Sequence, residues 1–328
     1  RGGDKDASRW YTDRYEMTLA ELAEKMPELG DPVQKDLYST IIGITSDYQE
    51  VGNNLRLAQQ SYDSYLKTGR VDSFIPVAAK GNFEGNFKKL QELIDQKGLK
   101  GAMDFLNEPT TARQIEAITG KKTGYLQDQE LPTSILFGDK VGAFMANLKG
   151  HPDYLTMDRW WNRTFNRLRG RMAPDVSPQT IKTFREQLGR PRAQMRTLDK
   201  EARRIVKNWK DRSGLTEGTA LEKAANNFLK AKTGLADVAK SGGDKKFNID
   251  VTKQVVERIR KDTEYKDMTV ADLQAVMWFA EKRRMKEMGS PTTLDEKDFY
   301  DAYQDLTSKN ILFPNNQNAT SNVLAPSL

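Results

Sequence analysis

Two residues 18 positions apart carry the strongest chemical suggestion in this sequence: Lys140, just after Gly138, and Asp158, just before Arg159-Trp160-Trp161. The stretch 134–163 that holds them reads as a Gly-centred turn at Gly138 followed by a short helix with small residues on one face (Gly142, Ala143, Ala146). A break at Gly150-His151-Pro152 comes next, then Thr156-Met157-Asp158 leading into a second helix. A turn that presents free backbone N–H donors at a helix start is a phosphate-binding geometry. A lysine there supplies a cation or a nucleophile, and an aspartate at a helix mouth supplies negative charge or a base. Plainer readings stand beside these. Lys140 also reads as a solvated turn lysine, and Asp158 as the N-cap of the helix opening at Arg159, with Thr156 as its rival. His151, beside a proline in a loop, reads as a surface histidine. Trp160 and Trp161 are adjacent and cannot share a helix face, so one belongs to the core and the other to an interface or groove.

Composition removes whole classes of chemistry. The chain has 328 residues, enough for one large or two ordinary domains, and no cysteine. Disulfide scaffolds, zinc fingers, iron–sulfur clusters and cysteine nucleophiles are therefore excluded. A single histidine excludes sites built from several imidazoles. No run approaches the 18 apolar residues of a membrane span. The start, Arg1-Gly2-Gly3-Asp4, lacks an initiator Met and a signal-peptide core, and reads as a processed product or an excised segment. Net charge is only +6, so any nucleic-acid site must be a patch. Arg159, Arg163 and Arg167 recur every four residues and share a helix face. With Arg169, Arg171 and the basic run 182–212, they are either a phosphate-binding surface or a solvated face.

The elements that must position these residues read as helical almost throughout. Met17, Leu19, Leu22 and Met26 mark a helix over 15–29. Asp31-Pro32 reads as N-cap and first turn of the next, carrying Val33, Leu37, Ile41 and Ile42. Further helices are expected from about Val51 to Leu66 (ending at Gly69), Phe83 to Gln96, Lys100 to Leu106, Thr111 to Thr119, Ser134 to Leu148, Thr156 to Leu168 and Gln179 to Arg212. Ser241-Gly242-Gly243-Asp244 reads as a linker. A last helical unit spans about Asp250 to Leu306, with a capping-box-like Thr269…Asp272, and a polar tail follows Phe313. No alternating strand pattern competes, so the expectation is an all-α fold: domain 1–212, linker region 213–248, and a helical C-terminal extension 249–328 free to pack back onto the first domain.

These residues resemble the helix–hairpin–helix DNA glycosylase superfamily. Its hairpin pattern, Leu-Pro-Gly-Val-Gly-x-Lys-x-Ala, is matched in its second half by Gly138-Asp139-Lys140-Val141-Gly142-Ala143. Its Val-Asp segment before the next helix is matched by Thr156-Met157-Asp158-Arg159, at the family's lysine-to-aspartate spacing. Leu136 and Ile135 replace the first hairpin glycine and the proline. Upstream, Ile41–Val51 followed by Asn53-Asn54-Leu55 and Ala58 looks like the family's Leu-Ser-x-Gln-Thr…Asn…Ala helix–loop–helix. The chain also looks like glycosylase-like domains of large phage and plasmid polyvalent proteins, which share an aromatic start (Trp10-Tyr11) and a Gln-x-x-x-Trp-x-x-Glu-Lys helix, here Gln274, Trp278, Glu281 and Lys282.

The resemblance implies a two-lobed helix–hairpin–helix glycosylase fold acting on double-stranded DNA, with a nucleotide flipped out of the stack. Lys140 is implied as the nucleophile at C1′, forming a Schiff base, and Asp158 as the carboxylate that stabilises charge developing on the sugar. Gly138 and Gly142 are implied as hairpin contacts to a phosphate, Tyr48 and Gln49 as the wedge loop, and Arg159, Arg163 and Arg167 as DNA contacts. Tyr48 also reads as a packing residue. No metal or cofactor is implied for catalysis, although a monovalent cation at the hairpin belongs to the family pattern. Two other readings stay open: a catalytically silent DNA-binding module, and a processed phage virion or DNA-ejection protein. The expected setting is a monomer on host DNA or a component of a virion.

Overall fold

A computed structural model of the chain describes residues 9–47, 49–74, 81–170, 239, 241–287 and 297–314. Tyr48, Arg171, the basic run 182–212 and the tail from 315 lie outside them. Among the described residues the fold is all-α, apart from one short ribbon. A π-helical turn, Trp10–Arg14, runs straight into α1 (Tyr15–Lys25), and a 3-10 turn, Pro27–Gly30, leads to α2 (Pro32–Thr45). The run expected as one helix over 15–29 thus breaks at Met26, because Pro27 has no N–H to continue it. Asp31 caps α2, accepting from the Val33 and Gln34 amides at 2.7 and 3.1 Å.

Helix α3 (Val51–Thr68) follows, then α4 (Gly81–Asn107), in which Gly98 is non-helical. Gly98, at φ 69° and ψ 166°, divides this element, so the two helices expected at 83–96 and 100–106 are its two halves. Strand β1 (Pro109–Thr111) opens α5 (Ala112–Thr119) through a Thr111/Gln114 capping box. It pairs antiparallel with β2 (Glu130–Pro132), Thr110 opposite Leu131. A 3-10 turn, Thr133–Phe137, precedes α6 (Asp139–Leu148), and α7 (Arg159–Leu168) follows. The C-terminal part contributes α8 (Gly242–Asp262), α9 (Val270–Glu287) and α10 (Phe299–Ser308).

The segment read as a linker is different where it is described. Ser241 is the N-cap of α8, its hydroxyl accepting from the Asp244 amide at 3.1 Å, so 242–248 are helical. Gly242 serves packing: a Cβ there would sit 3.1 Å from the Gly124 carbonyl. The Thr269/Asp272 pair does close reciprocally at the start of α9, at 3.0 and 3.1 Å.

Two compact units divide the chain. One joins residues up to Trp161 with those from Ala239 onward; the other is Asn162–Val238, of which only 162–170 are described. The first unit has an aromatic centre built from its two ends. Trp10 lies 5.0 Å from Phe299, 6.2 Å from Trp278 and 6.2 Å from Phe144, and Tyr15 lies 5.1 Å from Phe299. Rings of this size each remove about 150–250 Å² from water and dominate the packing energy. Polar ties reinforce the junction. Tyr11 donates to Gln274 Oε1 at 2.8 Å, and Arg14 bridges Asp298 and Asp301. The N-terminal turn is thus the surface on which α9 and α10 sit.

Candidate functional site

The turn before Lys140 is fixed by two glycines. Gly138 adopts φ 117°, ψ 153°, a backbone region that side-chain-bearing residues avoid, and so ends the 3-10 turn and starts α6. At Gly142 an added Cβ would lie 2.4 Å from the Ser134 carbonyl oxygen and 2.5 Å from Ile135 Cα. The turn and the helix therefore touch backbone to backbone, and Ser134 Oγ donates to the Gly142 carbonyl at 2.7 Å. The β2 strand and a single 3-10 turn lead into α6.

Lys140 emerges in the first turn of α6. Its ammonium contacts Asp47 Oδ1 at 3.3 Å and the Ser46 carbonyl at 3.4 Å, both at the C-terminal end of α2. The helices are held close there: Gly43 of α2 packs against Met145 of α6. A pocket of about 160 Å³ opens at this helix start, with Asp47, Asn86, Asp139 and Lys140 as polar walls and Phe83 and Phe137 as apolar ones. Asn86 donates to the Phe137 carbonyl at 3.1 Å, and Lys89 to the Leu136 carbonyl at 3.1 Å. Burial pushes the Lys89 ammonium below its usual pKa. Lys245 of α8 is ion-paired with Asp139.

Asp158 lies deeper, only 8% exposed. Its Oδ1 accepts from the Trp161 amide at 2.7 Å, so it does cap α7. Burial raises its pKa above the ordinary carboxylate value. The Trp161 and Trp160 amides, the charge of Lys140 and the Trp278 side chain pull the other way without cancelling it. Burial, with the charge of Asp158 adding to it, drives the Tyr11 phenol well above its usual range. Thr156 accepts from Asn147 Nδ2 at 3.1 Å.

Lys140 and Asp158 are thus within electrostatic reach of one another, one beside an open pocket and one buried. Gly138 and Gly142 build the turn that holds Lys140. Gln49 is half-buried and accepts from Asn53, one helical turn on. Tyr48 lies outside the described residues. On α7, Arg159 is exposed, whereas Arg163 and Arg167 are half-buried and belong to the second unit. Trp161 is the core member of the tryptophan pair, at 1% exposure, and His151 is exposed. Sequence reasoning missed Asp47 as the partner of Lys140, because its distance of 93 residues leaves no periodic signal. It flagged Trp278 as part of a motif but gave it no role. Among the described residues, no group of three or more His, Asp or Glu is placed to hold a metal ion. No helix there is long and apolar enough to cross a membrane.

No protein-family model, no curated protein and no solved structure matches this chain.

Proposed function

We propose that the chain is a helix–hairpin–helix glycosylase-like protein that acts on double-stranded DNA, cleaving an N-glycosidic bond and nicking the strand through a lysine Schiff base. The observation that supports this reading best is the pairing of environments. A lysine at the mouth of a pocket lies within the field of a buried aspartate that is hydrogen-bonded at a helix start. Two titratable groups in unlike surroundings are what a site needs to divide its roles. A flipped nucleotide would bring C1′ to the lysine side of the pocket. The Lys140 amine, once neutral, attacks C1′; the base leaves with the glycosidic electron pair; and the Asp158 carboxylate stabilises the positive charge that develops on the sugar. The amine gives a proton to the departing base. O4′ then takes up a proton as the C1′–O4′ bond opens, leaving a protonated Schiff base that acidifies C2′. Loss of the C2′ proton expels the 3′ phosphate and breaks the strand. Lys89 and Lys140 add positive charge near the pocket for a phosphate backbone.

A second reading is favoured by one contact. The Lys140 ammonium is engaged by Asp47 and the Ser46 carbonyl, an arrangement suited to a fixed cation that grips phosphate without attacking anything. Borohydride trapping on a duplex with one abasic site separates the two. The Schiff-base reading requires a covalent adduct with the unaltered chain that disappears in Lys140→Ala and weakens by about 100-fold or more in Asp158→Asn. Salt-sensitive binding with no adduct would leave the silent DNA-binding module. Absence of both binding and adduct would sink the DNA reading altogether.

A further inference from the structure

Two adjacent residues of opposite charge open α6, and each takes its partner from another part of the chain. Lys140 reaches back to Asp47, just beyond α2, at 3.3 Å. Asp139 is ion-paired with Lys245, 106 residues further on in the first turn of α8. Lys245 is held in place from several sides. Its side chain is only 12% exposed. Its ammonium donates to the Thr123 carbonyl at 2.9 Å and stands 4.2 Å from the centroid of the Tyr125 ring. The loop that supplies both contacts is itself fixed, since Glu116 of α5 accepts from the Thr123 amide at 2.8 Å and from Gln127 Nε2 at 2.9 Å. Two glycines admit the helix: a Cβ at Gly124 would lie 3.2 Å from Lys245 Nζ, and one at Gly242 3.1 Å from the Gly124 carbonyl. A carbonyl, an aromatic face and a carboxylate thus converge on one ammonium.

The consequence is electrostatic. The pocket wall itself holds two carboxylates, Asp47 and Asp139, against one ammonium, Lys140. An anion approaching Lys140 would meet an excess of negative charge. Lys245 cancels the charge of Asp139 from outside the wall, and Lys89, on the Leu136 carbonyl at 3.1 Å, then tips the balance to positive. We propose that Lys245 is a positioning residue: it draws the Asp139 carboxylate to α8 and cancels its charge, so that the pocket beside Lys140 admits an anionic ligand. The ligand class, a DNA phosphodiester, rests on the function proposed above; the clamp on Asp139 does not.

The test is a charge cycle: the unaltered chain, Lys245→Met, Asp139→Asn and the double variant, each binding a fluorescently labelled duplex with one abasic site at low salt. Lys245→Met should weaken binding about fivefold or more, the effect of one uncancelled unit charge at a partly exposed site. Asp139→Asn, which leaves Lys245 uncancelled, should bind more tightly than the unaltered chain. Added to Lys245→Met, it should restore affinity to within about twofold. A lysine that merely held the fold, or that touched phosphate itself, would leave the double variant as weak as Lys245→Met, and that result overturns the proposal. Undiminished binding by Lys245→Met overturns it too. Should the methionine variant not fold, Asp139→Asn decides, because binding no tighter than that of the unaltered chain is equally fatal.

The charge of the pocket is also read without DNA. Pyridoxal phosphate and pyridoxal differ only in the phosphate, and borohydride fixes either on a lysine. Peptide mass spectrometry then gives the ratio of anionic to neutral labelling at Lys140. That ratio should fall in Lys245→Met and recover in the double variant; a ratio that does not move overturns the clamp. An unaltered chain that binds no duplex, yet shows this labelling pattern, would refute the DNA reading and leave the clamp standing.

Discussion

The two ends of α6 each carry a lysine, and their surroundings are opposite. Lys140 stands in the first turn, where the helix dipole opposes a cation. It is accommodated by Asp47 at 3.3 Å and by the Asp139 carboxylate beside it in the pocket wall. Lys149 stands at the C-cap, where the dipole favours a cation and Asp36 adds to it, yet burial pushes its pKa down to about 8. Its ammonium has Asn107 Oδ1 at 3.1 Å and the Met103 sulfur for company. The magnitudes explain the outcome. A helix end is worth about 0.3–1 kcal/mol, whereas a fall from 10.5 to about 8 corresponds to about 3 kcal/mol against the charged form. At Lys149, desolvation therefore outweighs position along the helix. Under the proposed lyase chemistry, substrate binding would have to loosen the contact of Lys140 with Asp47.

The comparison breaks most completely at the middle of the helix. Gly142→Val places a branched side chain where even a Cβ meets the Ser134 and Ile135 backbone within 2.5 Å. Neither obstacle is a flexible side chain that can swing aside. The turn 133–137 must separate from α6, and both lysines lose their settings together. A destabilisation of about 3 kcal/mol or more is expected, read as a lowered urea midpoint. A variant as stable as the parent would mean that the hairpin is not packed as described.

That close approach also marks what the sequence made legible. Asp31, Thr269 and Gly69 announce helix ends through local rules, and those ends lie where capping and turn chemistry put them. The small face at Gly142, Ala143 and Ala146 was equally readable, because close contact requires small residues in a helical row. The contacts that give the candidate site its character were not. Asp47 reaches Lys140 across a distance set by tertiary packing, for which a single sequence carries no period. The glycines at 242 and 243 misled for a related reason: a residue without a side chain looks the same whether it serves flexibility or a 3.1 Å approach to another backbone.

An intermediate effect is expected at the buried end. In Lys149→Met the apolar stem is kept and the charge is removed. The folded chain loses the Lys149 proton near pH 8 and the unfolded chain near 10.5. Between those values the unfolded state binds more protons, so the parent gains stability as pH rises through the window. Below pH 8 both states are protonated and the desolvation cost is felt in full. The methionine variant should therefore be more stable at pH 7 by about 1–2 kcal/mol, less than the full value because Lys149 is only half-buried as a residue and Asn107 loses a donor. Its advantage should shrink steadily from pH 8 to 10.5. Urea unfolding of both proteins across that range reads the difference, and parallel curves would remove the contrast between the two helix ends.

The smallest effect belongs to the exposed end. Lys140 and Asp47 are 33% and 22% exposed, their contact is a single 3.3 Å approach, and the helix dipole works against the cation. Pairs of this kind contribute about 0–1 kcal/mol. Lys140→Ala should cost less than about 1 kcal/mol in urea unfolding, and a double-mutant cycle with Asp47→Asn should show a coupling that fades between low and high salt. A loss of several kcal/mol would instead make Lys140 a structural residue, its charge needed to hold α2 against α6. The distinction matters beyond stability. An adduct missing from a Lys140→Ala protein that is folded and as stable as its parent reports on chemistry, whereas the same result from a collapsed hairpin reports on packing alone.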